Sequence, residues 1–461
     1  IVWRKGNTGA GAMIQSDMGG SVTITGTATL PADFSQNKGY HQGMLESLHA
    51  GLEISAYGIK LTNIRANENY YAGVFLRSWG SSVSILGTLN EFSGNSSSAD
   101  PTTQEYGLWI DQAYGPVTLL NFKAEENYGG GIYIVNTAGT GSVTLNSTVA
   151  GFTSSVTNGQ GGYGGYGLSI KSRGAVTLTK VDISDGNQIA PGAYINNSTA
   201  LTSMPVKVSL SSFNNNYGDG LHVESGGLIS ISKVTASGNQ YTGGGTPDGN
   251  GLWLHNDVIA NSQVYSPITI LNSVFSGNEM DGAFVQSGNK ITVSNVTGND
   301  NGGNGMYISV EDKLTLPPAI LVSGKNQFIG NGNNGLEVSG YGLVTISGVE
   351  SGRNYADGIY ISTEKQVTIS NSWLYQNWNG IFVENAPVTI NNVTSMGNGY
   401  YGLDLEGVDL GGKVKLTNST FILNADAGIN IDFDSDDEND LIMFNVNYFG
   451  NNAGGENIII N

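Results

Sequence analysis

The chain repeats itself, and that repetition limits what it can fold into more than any other feature. Between residues 367 and 407, Val367-Thr368-Ile369 returns as Val388-Thr389-Ile390, Asn377 returns as Asn398, and Gly380-Ile381-Phe382-Val383 returns as Gly402-Leu403-Asp404-Leu405. The unit Gly-apolar-x-apolar opens at Gly51, Gly73, Gly107, Gly131, Gly167, Gly192, Gly220, Gly251, Gly282, Gly305, Gly335, Gly358, Gly380, Gly402 and Gly428. Intervals run from 22 to 36 residues and 22 recurs three times, so 22 is the bare unit and longer spacings carry insertions. Each glycine leads a run of strict alternation, and a second alternating run such as Val176-Thr177-Leu178 follows 7 to 16 residues later. Period-2 patterning rich in β-branched residues predicts short half-buried strands. Many units place Asn four residues before the glycine (Asn69, Asn127, Asn216, Asn278, Asn354, Asn398, Asn424), where its tolerance of left-handed backbone suits a tight corner. Twenty-two residues at about 3.3 Å each make a loop near 70 Å around, which is one turn of a solenoid. Stacked turns put like residues in ladders and bury the apolar rows in a continuous core.

The quoted grammar, N-x-x-x-G-I-x-V followed by V-T-I-x-N, resembles the right-handed parallel β-helix repeat of the pectate-lyase-like superfamily over essentially the whole chain. The resemblance implies an all-β right-handed parallel β-helix of about 16 rungs, read as a single domain over residues 1–461. It leaves function open, because that superfamily includes polysaccharide lyases, hydrolases, epimerases, tailspikes, adhesins and surface fibres. No enzyme signature carries over. Of the polygalacturonase motifs only Asp436-Asp437 is present, and Asp100-Pro101 is followed by Thr102 where an Asp-Pro-His motif would need histidine.

Composition narrows the partners. With 38 acidic and 19 basic residues the net charge is -19, which excludes the cationic footprint of a nucleic-acid binder. The absence of cysteine excludes disulfides and thiolate metal sites. No apolar run reaches the roughly 18 residues a membrane span needs. The opening Ile1-Val2-Trp3 and the closing apolar strand read as a piece of a longer secreted or surface protein.

If the apolar positions after each glycine point inward, the residue between them points outward. That row contains Phe75, Trp109, Tyr133, Tyr194, Trp253, Phe284, Tyr307, Tyr360 and Phe382, nine aromatics in fifteen rungs. Two readings stay open: rings stacking between rungs, or a stripe that binds sugar rings or another copy. Insertions around residues 96–106, 159–166, 197–205, 240–250, 256–267 and 310–319 flank this face, and His222, Glu224, Trp253 and His255 lie between them. Toward the C-terminus Glu384, Glu406 and Asp432 form one row beside Asp404, and Asp434 and Asp436 follow in an acidic loop. Carboxylates so spaced invite a hard cation such as Ca²⁺, or else form a solvated acidic edge. Together these features favour an extracellular structural or adhesive protein that contacts copies of itself, adjoining domains or polysaccharide. The alternative is a polysaccharide-active enzyme or glycan-binding module.

Overall fold

The computed structural model describes residues 11–16, 19–37, 50–95, 106–150, 153–158, 165–186, 190–200, 202–240, 249–256, 266–310, 317–408, 413–433, 441–451 and 457–460. The chain divides into two compact units, one built mainly from Ile1–Ser230 and the other mainly from Tyr265–Asn461 with Asn250–Asn256. Each is a parallel β-helix with three faces.

In the first unit the strands after the glycines, from Ala12–Gln15 and Leu52–Ala56 to Ala193–Asn196 and Leu221–Ser225, pair in parallel, each with the next turn. This is the glycine face. A second face runs from Ser21–Thr25 to Val206–Ser209. A third, of shorter strands, runs from Ala32–Asp33 to Val181–Asp182. The second unit repeats the plan. Its glycine face extends from Leu252–Asn256 to Ile458–Ile460, its second face from Ile268–Leu271 to Leu441–Phe444, and its third from Asn326–Ile329 to Thr420–Ile422.

Register follows the repeat. Ile359 stands over Ile381, Tyr360 over Phe382 and Ile361 over Val383, while Val367 and Ile369 stand over Val388 and Ile390. A slip of one residue would turn every buried Ile and Val to solvent, so the alternation fixes the pairing. Away from the first and last turns the inward rows are fully buried, and Phe92, Phe122, Phe213, Phe275, Phe328 and Phe421 fill the coil beside the third face.

The corner before each glycine explains why glycine and asparagine repeat together. In the second unit Asn301, Asn331, Asn354, Asn377, Asn398 and Asn424 form a buried column in which each Oδ1 accepts the backbone N–H of the preceding asparagine at 3.0–3.1 Å. The amide lies against the glycine of the previous turn. A Cβ on Gly358 would sit 2.7 Å from Asn377 Nδ2 and 2.6 Å from the Gly380 carbonyl oxygen, so only glycine fits. The left-handed residue of this corner differs from the sequence expectation. It is the one before the asparagine, such as Glu68, Arg353, Gln376 or Leu423, because the asparagine must point inward to bond the neighbouring turn.

Candidate functional site

On the outer side of the glycine face in the first unit, aromatic rings pack on one another. Phe75 lies on the expected row but is 1% exposed, capped edge-on by Trp109 at 5.2 Å and by the Arg77 guanidinium at 4.9 Å. It belongs to a small outer core with Ala50 and Ala72 and offers no face to a ligand. Tyr133 stacks on buried Tyr106 at 5.0 Å, and Tyr166 stacks on Tyr194 at 5.4 Å.

Next to Tyr194 the row changes character. His222 pairs in register with Tyr194, and the two rings lie 5.3 Å apart. His222 Nδ1 is 3.0 Å from Asp219 Oδ2, and Nε2 is 3.5 Å from Glu224 Oε1. Asn196 Nδ2 donates to the Tyr194 hydroxyl at 3.0 Å and also to Glu224, so one amide ties phenol to carboxylate. Burial of the imidazole opposes its charge, but the bond to Asp219 and the nearby Glu224 carboxylate outweigh that and raise its pKa above the usual 6.5. Burial pushes the Tyr194 phenol up to about 12, against the Asn196 bond and reinforced by Glu224. A buried carboxylate thus orients a histidine that holds its proton more tightly than an ordinary imidazole, beside a second carboxylate and a protonated phenol. This set can give a proton and take one.

His222 and Glu224 stand out in the sequence, whereas Asp219 does not. Its signal is its place immediately before Gly220, shared by Asp281 and Asp357 before Gly282 and Gly358.

In the second unit that position builds a further ladder. Asn250, Asp281, Asn304, Asn334, Asp357 and Asn379 each accept, through Oδ1, the backbone N–H of the corresponding residue on the next turn at 2.6–3.0 Å. An asparagine meets this need without charge. Burial pushes Asp281 and Asp357 up to about 6; the Asn304 and Asn379 bonds pull the other way and Glu337 adds to the rise. Beside the ladder, Trp253, Phe284 and Tyr307 stack at 5.9 and 5.1 Å, and Tyr360 stacks on Phe382 at 5.4 Å. Glu337 stands between the two stacks, fixed by Asn334 Nδ2 at 2.9 Å. The rings of each stack lie face to face on successive turns. His255 lies edge-on to Trp253 at 5.6 Å. The insertions expected to wall this rung fall largely on residues 241–248 and 257–265, outside the described residues.

The acidic row divides. Glu384 and Glu406 are register partners, but Glu384 accepts the Tyr360 hydroxyl at 3.0 Å on the turn before. Asp404, 4% exposed, accepts Asn430 Nδ2 at 2.8 Å on the turn after. Burial pushes Asp404 up to about 6; the Asn430 bond lowers it, and Glu406, Asp357 and Asp432 raise it further. Among the described residues no group of three or more His, Asp or Glu is placed to hold a metal ion. Asp434 and Asp436 lie outside the described residues.

Among solved structures, the chain is similar to the A-module of the mannuronan C-5 epimerase AlgE4 of Azotobacter vinelandii, at 14% identity over 82% of this chain and 90% of that one, with a TM-score of 0.43. The AlgE6 A-module of the same organism matches at 13% identity over 76% and 91%, with a TM-score of 0.45. No curated protein sequence matches the chain. Residues 154–317 and 319–459 match the family described as the right handed beta helix region. Stacked parallel turns, like-on-like register and this match over about two thirds of the sequence agree, and the chain belongs to the right-handed parallel β-helix family.

Proposed function

We propose that this chain is a polysaccharide-active protein that moves a proton on its substrate at the outer glycine face of the first unit. The observation that carries the reading is the set Asp219–His222–Glu224 with Tyr194. Here a buried carboxylate orients an imidazole that faces a second carboxylate. His222 donates through Nε2, Glu224 accepts, Asp219 holds the tautomer, and Tyr194 donates to an oxygen of the sugar. An exposed sheet face of parallel turns suits a long polymer, because successive sugars meet successive rungs. Placement outside the cell or at its surface, within one domain of a longer protein, belongs to the same reading.

The test is incubation of the purified chain with neutral and uronate polysaccharides in D₂O, reading new reducing ends, unsaturated product and deuterium uptake. His222→Gln is expected to lower the rate by about 10²- to 10⁴-fold while leaving the thermal midpoint within a few degrees. Absence of all three products on every polymer would sink the proposal. A second reading, structural or adhesive self-association, draws on the exposed Ile442, Phe444 and Phe449 in the last described turns of the second unit. It predicts fibres in electron micrographs whether or not His222 is intact.

A further inference from the structure

Where second and third faces meet in the second unit, one residue per turn is left-handed. This column reads Asn272, Asn295, Gly324, Gly348, Asn371, Asn392, Asn418 and Asn445. The asparagines bond along it: Asn295 Nδ2 to Asn272 Oδ1 at 3.1 Å, Asn392 to Asn371 at 2.8 Å, and Asn445 to Asn418 at 3.0 Å. Gly324 and Gly348 interrupt it on two successive turns. Beside Gly348 lies a cleft of about 480 Å³, lined among others by Lys325, Gln327, Glu350, Asn371 and Trp373. That volume lies within the usual range for small-molecule sites, roughly 300–1,000 Å³.

The walls suit a particular chemistry. Gln327, Glu350 and Trp373 stand in one outward column of the third face, on consecutive turns. Trp373 is 47% exposed. Tyr375 supports its ring at 4.6 Å and also donates to Glu350 Oε1 at 3.4 Å. Gln327 Nε2 donates to Glu350 Oε2 at 3.1 Å, and Asn299 Nδ2 holds Gln327 Oε1 at 2.9 Å. The carboxylate is therefore oriented before any ligand arrives, next to an open indole face. A ligand with one apolar face and a rim of hydroxyl groups satisfies both walls. The carboxylate and the surplus of acid over base in the molecule disfavour a polyanion.

We infer that this cleft is a binding site for a neutral pyranose unit of an oligosaccharide, stacked on Trp373 with its hydroxyls bonded to Glu350. It is independent of the chemistry assigned to His222, and the two fail separately. The experiment titrates the full chain with cellohexaose, mannohexaose and maltohexaose by calorimetry, with saturation-transfer NMR to map the bound sugar face. Saturable binding of at least one is expected, weakened about tenfold or more by Trp373→Ala and severalfold by Glu350→Gln. Trp378→Ala, at an exposed tryptophan that does not line the cleft, is expected to bind as wild type. His222→Gln should likewise leave this affinity unchanged. Failure of all three sugars to saturate would overturn the inference. So would equal affinity in Trp373→Ala, or tighter binding of polygalacturonate or an unrelated peptide at the same residues.

Discussion

At the scale of single residues the fold tolerates strain that its own repeats show how to relieve. Leu210 has φ 54° at the same left-handed corner that asparagine occupies at Asn63 and Asn121. A leucine there pays roughly 1–2 kcal/mol for crowding between Cβ and carbonyl oxygen, and asparagine is less penalised. Leu210 is 46% exposed, so little packing is lost on replacing it. Leu210→Asn is expected to stabilise the chain by about 0.5–1 kcal/mol, read as a higher urea midpoint at unchanged slope. A lower midpoint would show that the leucine is held by contacts that outweigh its backbone cost.

At the scale of one turn, the unit that matters is a glycine together with the asparagine of the next turn. Asn377 accepts the Asn354 N–H at 3.1 Å and donates to the Ser351 carbonyl oxygen at 3.2 Å, all of it buried. Asn377→Ala strands those groups and should cost about 2–4 kcal/mol. Gly358→Ala puts a methyl into the same amide and should cost at least as much. Both are checked by denaturant melts. If either variant melted like wild type, the interlock would be ornamental, and the joint repetition of Gly and Asn would need another cause.

At the scale of the whole molecule, the net charge of -19 and the raised acids act in one direction with pH. Asp281, Asp357 and Asp404 titrate near 6 when folded, against an ordinary 3.8. A folded pKa above the unfolded one contributes stability that is complete below about pH 3.8 and lost as pH rises through 6. His222, also raised, loses its contribution above its ordinary 6.5. The thermal midpoint is therefore expected to fall between pH 5 and pH 8, measured by circular dichroism. Asp357→Asn, which keeps the ladder's acceptor without the charge, should flatten that fall. A midpoint that rises over the same interval would contradict the burial of these acids.

The repeat by itself determined the architecture. Periods of 2 and 22 residues are local and recur, so inward rows, strand pairing and the family could be read from Gly358-Ile359-Tyr360-Ile361 and its copies. The aromatic row was legible as a row, but how its rings would face was not. Only the folded chain decided that Phe75 is sealed under Trp109, that Asp219 meets His222, and that Glu384 and Asp404 turn to opposite neighbours. The cleft beside Trp373 likewise shows only once Lys325, Glu350 and Asn371 are brought together from successive turns. A repeat specifies which residue stands on each turn. Insertions of unequal length, ring against ring and the choice among hydrogen-bond partners decide what that residue touches, and those are settled only when the turns are stacked.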